Sequence, residues 1–214
     1  MLGQGLYDAA EVARLLGHDV SWVVRWSTHS ANGPAIVTPT FDRRFSFSDL
    51  VAFRVALLVR ERQISDGCLR RGVQALRVRT GLAKPTAAQQ VVSRLATFGN
   101  RFLWRLPNDE FEDIGQGGHG PFANAIELIV RNISFDDVGN PTRWEPADGV
   151  VIDPFIQAGA PCVIGTRIPT STIAGLLIDE HPEDVAADFD LPLEAVLLTE
   201  KFEKMLAEGL GLAA

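Results

Sequence analysis

The stretch YDAAEVARLLGHDVSWVVRWSTH, residues 7–29, decides how the first third of the chain is read. Ala9, Val12, Ala13 and Leu16 recur at i, i+3, i+4 and i+7, the spacing of one helix face. Asp8 precedes them as an N-cap, and Gly17 follows as a residue that accepts the left-handed conformation of a helix end. Asp19 stands at the start of a second helix through Ser21, Val23, Val24 and Trp26. That phase places Val23, Val24 and Trp26 inside and Asp19, Ser21, Trp22 and Arg25 outside. Two helices joined by a short turn at Gly17-His18 form a helix-turn-helix pattern.

Working outward, Ala31, Asn32, Gly33 and Pro34 are turn residues. Ile36-Val37 and Phe45-Ser46-Phe47 are expected as two short strands around Asp42-Arg43-Arg44, a wing that presents arginines. Ser48 is expected to cap a long helix that buries Leu50, Phe53, Leu57 and Leu58. A further helix over residues 66–79 carries Arg70, Arg71, Arg77 and Arg79 and stops at residues 81–85. Beyond it, residues 90–96 and 101–106 suggest strands about a Gly99-Asn100 turn. Residues 122–131 suggest a helix with Phe122, Ile126, Ile129 and Val130 on its apolar side. Residues 133–135 and 142–144 suggest a hairpin. In residues 150–214, a short strand ends in Ile152-Asp153-Pro154. The motif GAPCVIGTRIP follows, then a helix to about Ile178, one from Pro182 to Phe189, and a last one from Leu193. The expected fold is mainly α with small β elements. Its units are a winged helix-turn-helix over 1–84, a mixed middle segment over 85–149, and a small helical, helix-turn-helix-like domain over 150–214.

Composition bounds the function. The 214 residues carry a net charge of −7 with 46% hydrophobic content, a globular chain large enough to bury a core without staples. Two cysteines and four histidines, none at ligand spacing, argue against a disulfide framework and against a metal or cofactor. With neither a signal-peptide pattern nor a run near the roughly 20 apolar residues of a membrane span, the expectation is a cytoplasmic protein. The charge is divided. Residues 1–84 hold 12 Lys+Arg against 7 Asp+Glu, a net of +5, and residues 85–214 hold 8 against 20, a net of −12. A basic half joined to an acidic half points to a nucleic-acid module attached to something else.

The second helix of a helix-turn-helix enters the major groove, where polar side chains reach base edges and arginines hold phosphates or guanine. The DNA-binding candidates are therefore Asp19, Ser21, Trp22 and Arg25, with Arg43 and Arg44 of the wing. The modest charge suggests a homodimer reading two half-sites. The alternative is a solvated face paired with Asp42, Asp49 and Glu61, with Trp22 and Trp26 as core or dimer anchors. Gly115-Gln-Gly117-Gly-His-Gly120 fits G-x-G-x-x-G, which opens an alternative as a nucleotide-binding enzyme. Glu110, Glu112 and Asp113 stand where an apolar strand is needed, however, so the expectation is a protein that is not an enzyme. The acidic stretch 182–204 would repel phosphates and suits a protein surface.

The first 80 residues resemble the MerR-like winged helix-turn-helix, with YDAAEVARLLG, Arg25-Trp26 and the entry Arg44-Phe45-Ser46 into the third helix. Val24 stands where that family has an arginine. The pattern I-D-P, G-x-P-x-I-x-GTRIP, P-E-x-V-A-x-x-F and L-x-x-E-x-V at residues 152–196 resembles a small bacterial domain of unknown function associated with antitoxins. The whole arrangement resembles VapB-type antitoxins. The resemblance implies a VapC toxin partner, a PIN-domain ribonuclease, and repression of the protein's own operon through operator DNA. Thr166, Arg167 and Ile168 are the candidate toxin contacts, with the alternative that Arg167 bridges Asp153. A stand-alone MerR-like regulator is the other reading.

Overall fold

The computed structural model describes residues 4–209, apart from 32, 121, 123 and 129. Helix α1 (Ala9–Leu16) starts on a complete capping box. Asp8 Oδ1 accepts from the amides of Ala10 and Glu11 at 2.8 and 2.9 Å, and Glu11 accepts from the Asp8 amide at 2.8 Å. Gly17 closes it at φ 65°. Helix α2 (Val20–Ser27) follows, with Asp19 in the N-cap position but without a side-chain capping bond. Helix α3 (Phe47–Glu61) starts at Ser46 rather than Ser48, because Ser46 and Asp49 form a reciprocal capping box. Ser65 caps α4 (Asp66–Thr80), which ends at Gly81 with φ 69°.

The next part of the chain is largely β. After the short helix α5 (Gln89–Val92) come β1 (Leu95–Phe98), β2 (Arg101–Arg105), β3 (Phe111–Asp113), β4 (His119–Gly120) and β5 (Ile126–Glu127). They form an antiparallel sheet in the order β4-β3-β2-β1-β5. Strands β6 (Ile133–Phe135), β7 (Pro141–Ala147), β8 (Val150–Ile152) and β9 (Pro161–Val163) form a second antiparallel sheet in chain order. Helices α6 (Thr170–Leu176), α7 (Pro182–Asp188) and α8 (Leu193–Ala207) complete the described chain.

The expectation of a mainly α protein with a helical C-terminal domain is therefore corrected: the fold is mixed α/β, with two antiparallel sheets. Three local readings explain the difference. Residues 126–127 are a strand on the edge of the first sheet, not part of a helix over 122–131; Ile129 lies outside the described residues. Residues 161–163, inside the GTRIP-containing motif, are a sheet strand. The wing is not a two-stranded hairpin either. The amides of Ile36 and Val37 bond the Trp26 carbonyl at 2.8 and 3.3 Å, while Phe45 pairs with Tyr7. The Phe41–Arg44 tip is a turn closed by its own backbone bonds at 3.2 and 3.3 Å. Asn32, read as a turn residue, lies outside the described residues.

One large core runs the length of the chain. It joins Leu15, Trp26, Phe53 and Leu69 of the first four helices to Phe102, Trp144 and Ile152 of the sheets and Phe202 of α8. The packing of α4 on β2 is close: a Cβ on Gly72 would stand 2.3 Å from the Phe102 ring. A second, smaller core of Val163, Ile173, Val185, Ala186 and Val196 lies under α6–α8. The second sheet crosses position 149/150, so residues 150–163 share hydrogen bonds with the segment before them. The first helix region also meets the last third of the chain. Tyr7 donates to the Gly159 carbonyl at 2.8 Å, and Arg14 pairs with Glu203 at 3.1 Å.

Two arginines of α4 point inward. Arg70 donates to the carbonyls of Arg25 (2.5 Å), Thr28 (3.0 Å) and Pro34 (2.7 Å). Arg77 donates to those of Ala35 and Ile36, both at 2.7 Å, and of Ala83 at 3.2 Å. The irregular segment after α2 thereby obtains donors that regular structure does not supply. Replacing Arg70 by Met keeps most of the side-chain volume and removes the donors. The expected loss is roughly 2–4 kcal/mol, from carbonyls left without partners. For a chain of this size that lowers Tm by about 5–15 °C. A melt within about 2 °C of the parent would remove the clamp from this account.

Candidate nucleic-acid interface

The turn between α1 and α2 is set by aromatic packing. Trp22, Val23 and Trp26 form the inner face of α2, and Trp22 is only 5% exposed. Its ring lies 4.3 Å from both Trp26 and His18, stacked on the latter at 16°, and 5.7 Å from Phe53. The placement of Trp22 on the outer, DNA-facing side is thus corrected. With two valines and two tryptophans in five positions, two helical phases are almost equally apolar. Burial selects the one that hides the larger rings, and Val24 is left 48% exposed.

The outward face of α2 carries Val20, Ser21, Val24 and Arg25, with Asp19 at its start. The Arg25 side chain is about half exposed, and its Nε lies 3.8 Å from Asp66. Asp66 is shared: Arg60 pairs with it at 2.8 Å and the Trp26 indole donates to it at 3.3 Å. Arg43 and Arg44 are exposed on the Phe41–Arg44 turn, with Arg43 in the left-handed region at φ 56°. The turn and α2 rest on a common support, since Phe45 packs 5.3 Å from Phe53, the ring that also contacts Trp22. Asp19, Ser21 and Arg25 therefore share one face, and Arg43 and Arg44 occupy a separate turn on the same aromatic base.

Several other cations of the basic half are committed elsewhere. Arg70 and Arg77 bind carbonyls, Arg79 forms a two-pronged pair with Glu112, and Lys84 pairs with Asp49 at 2.6 Å. Arg79 holds the Glu112 carboxyl below its ordinary range. No sequence pattern separated these inward arginines of α4 from outward ones. Their only signal was an apolar spacing on α4 whose phase puts positions 70 and 77 on one side, seven residues apart.

The GTRIP segment is a tight loop between β9 and α6. Thr166 donates from its hydroxyl to the Val163 carbonyl at 2.9 Å and accepts from the Ile168 amide at 3.0 Å. Gly165, at φ 77°, makes the turn. Thr166 is half-buried and Ile168 packs against the small core. Arg167 is exposed, and no ion pair joins it to Asp153, whose carboxylate accepts from the Phe155 amide at 2.8 Å. The bridge considered for Arg167 is thus not formed, and the loop holds outward a guanidinium without a partner among the described residues. Phe155, 69% exposed, stands two residues before Gln157, which donates to the Arg167 carbonyl at 3.0 Å.

The glycine-rich loop joins β3 to β4 as a hairpin turn. The Asp113 carboxylate takes up the amides of Gly115 and Gln116 at 3.0 and 2.8 Å. A Cβ on Gly115 would stand 2.2 Å from the Cys68 sulfur. This glycine serves packing, the loop amides face a carboxylate, and a strand follows, unlike the strand–loop–helix of a dinucleotide site. Among the described residues, no group of three or more His, Cys, Asp or Glu could hold a metal, and no helix is long and apolar enough to cross a membrane.

Residues 150–199 match the model of a family described as a protein of unknown function, DUF433. No curated protein matches the chain. The crystal structure of Rv2018 from Mycobacterium tuberculosis is similar, with a TM-score of 0.61 and 16% identity over 92% of this chain and 98% of that one. At that identity the likeness concerns the fold alone.

His18, stacked on Trp22, has its pKa lowered, first by burial and then by Arg60, against the opposing pull of Glu61 and Asp19. The folded state therefore favours neutral imidazole. This contribution is complete above the unfolded value near 6.5 and is lost as pH falls through the lower folded value. Urea midpoints at pH 7.5 and 5 are expected to drop more for the parent than for His18→Gln. Equal drops would show that the stack does not discriminate protonation states.

Proposed function

We propose that the protein is an antitoxin-type regulator, which binds DNA through α1–α2 and the Phe41–Arg44 turn and a VapC-type toxin through the GTRIP loop. The observation that carries the DNA part is the outward face of α2. Ser21 and Arg25 project from a helix whose inner side is locked by two tryptophans and whose C-terminal carbonyls are held by Arg70. A rigid helix with a free polar and cationic face is what major-groove reading requires. Arg43 and Arg44 add phosphate contacts at a distance set by the shared Phe53 support. Asp66 holds Arg25 only loosely, so the guanidinium is released to a base or phosphate at little cost.

The toxin part rests on resemblance and on one geometric feature. Residues 150–199 carry the motif pattern that resembles the antitoxin-associated domain, and the loop built around Thr166 presents an unpaired Arg167. An exposed arginine on a rigid loop is a good interface anchor. The acidic faces of α7 and α8, with Glu183, Asp184, Asp188, Glu194 and Glu200, turn from nucleic acid and suit a basic protein surface.

Two measurements test the reading. Fluorescence anisotropy with duplexes from the region upstream of the gene should give binding whose logarithm falls with log salt at about 0.9 per phosphate neutralised. Arg25→Ala should weaken the preferred duplex about 5- to 150-fold, as for a lost base contact. The Arg43→Ala, Arg44→Ala pair should weaken all duplexes alike and reduce the salt slope by about 2. Retention of parental affinity and slope by the triple variant would refute the DNA assignment. In co-purification with the product of the adjacent gene, Arg167→Ala should weaken the complex by about 30-fold, the scale of an interface anchor. An undiminished complex, or none with the parent, would refute the toxin assignment.

A further inference from the structure

Arg54 of α3 is 6% exposed, yet its Nη1 is a buried donor without a hydrogen-bond partner among the described residues. Among the described residues no ion pair within 4.0 Å offsets its charge, and Glu61 acts on it only from farther away. A guanidinium stays protonated in proteins, and a buried, unpaired one is unfavourable enough to need an explanation. Among the described residues the other buried arginine, Arg70, is satisfied by three carbonyls, and the half-buried Arg77 by three more. Arg54 has no such acceptors among the described residues, and it lines a broad groove.

That groove encloses about 1540 Å³ between α3, residues 126–133, β7 and α8. Leu58, Leu128, Ile133, Trp144, Leu198 and Phe202 give it an apolar wall. Its rim carries both signs, with six carboxylates against four cations other than Arg54. The rim therefore does not select an anion, whereas the buried guanidinium does. The volume exceeds the roughly 300–1,000 Å³ of sites that enclose one compact ligand, which leaves room for an elongated one.

We propose that this groove binds an amphipathic carboxylate, its carboxyl received by Arg54 and its hydrocarbon body laid along the apolar wall. A planar guanidinium matches a carboxylate through two parallel N–H···O bonds. The acidic groups of the rim disfavour a more highly charged phosphate. The site is separate from α2 and from the GTRIP loop, and it stands whether or not the DNA and toxin readings hold.

Laurate, kept below its micelle concentration, is a suitable probe for the full-length protein, followed by tryptophan emission and by thermal melting. The expected result is saturable binding that raises Tm, with dodecanol and dodecyltrimethylammonium at least tenfold weaker. Trp144→Phe should remove most of the emission change. Arg54→Met should bind laurate at least tenfold more weakly while melting no lower than the parent, because the exchange removes an unpaired buried charge. Should Arg54→Met fail to fold, the contrast between laurate and dodecanol on the parent protein decides alone. Equal binding of the two, or undiminished laurate binding by Arg54→Met, overturns the proposal. So does an absence of laurate binding together with a self-associated form that Arg54→Met disperses, which would make the groove a contact between copies of the chain.

Discussion

The structure depends on one arrangement: two guanidinium groups on a single face of α4 hold the backbone that follows α2. The described residues from Thr28 to Ile36 lie outside helix and ladder, so several of their carbonyls need donors from elsewhere. Arg70 and Arg77, two helical turns apart, supply them. Arg70 also meets the carbonyl of Arg25 near the C-terminal end of α2, where a cation complements the helix dipole. The orientation of α2 is thereby tied to α4, and α4 in turn is seated on the first sheet through Gly72 and Phe102. The outward face of α2 is thus the last link of a chain of contacts that begins in the middle of the protein.

This arrangement changes the meaning of the charge division. The basic half has 12 cationic residues, but Arg54, Arg70 and Arg77 face inward and Arg79 and Lys84 are spent on carboxylates. Arg14 and Arg79 even pair with Glu203 and Glu112 of the acidic half. The two halves partly neutralise each other across one core. What is left for an external anion is a small set: Arg25 on α2, Arg43 and Arg44 on their turn, and Arg62 just after α3. Such a surface favours recognition at defined positions over a broad electrostatic attraction.

Much of the local structure was legible where a backbone rule acts within a few residues. Asp8 with Glu11 is a capping box readable as letters, and Gly17 is a helix end for the same reason that it is glycine. The hairpin of β6 and β7 about Gly139 was legible from turn chemistry. The phase of α2 was not, because Trp22 and Val24 compete for one inward position and only the surrounding rings decide between them. Nor were β5 and β9. Strands of two or three residues are too short to show alternation, and their identity comes from the neighbours that pair with them.

The sequence by itself determined the first helix pair with the Asp8 and Gly17 caps of α1 and the turn at GTRIP, since each follows from side chains acting on nearby backbone, and it carried the separation of basic from acidic residues. Only the tertiary structure decided that the fold is mixed α/β and that Trp22 is internal. It also decided which arginines face water and that Arg54 is buried without a counterion. These depend on groups distant in the chain: partner strands, opposing rings and carbonyls over 30 residues away. A side chain's type is written in the sequence, but its charge becomes available to a ligand only after the folded backbone has taken what it needs.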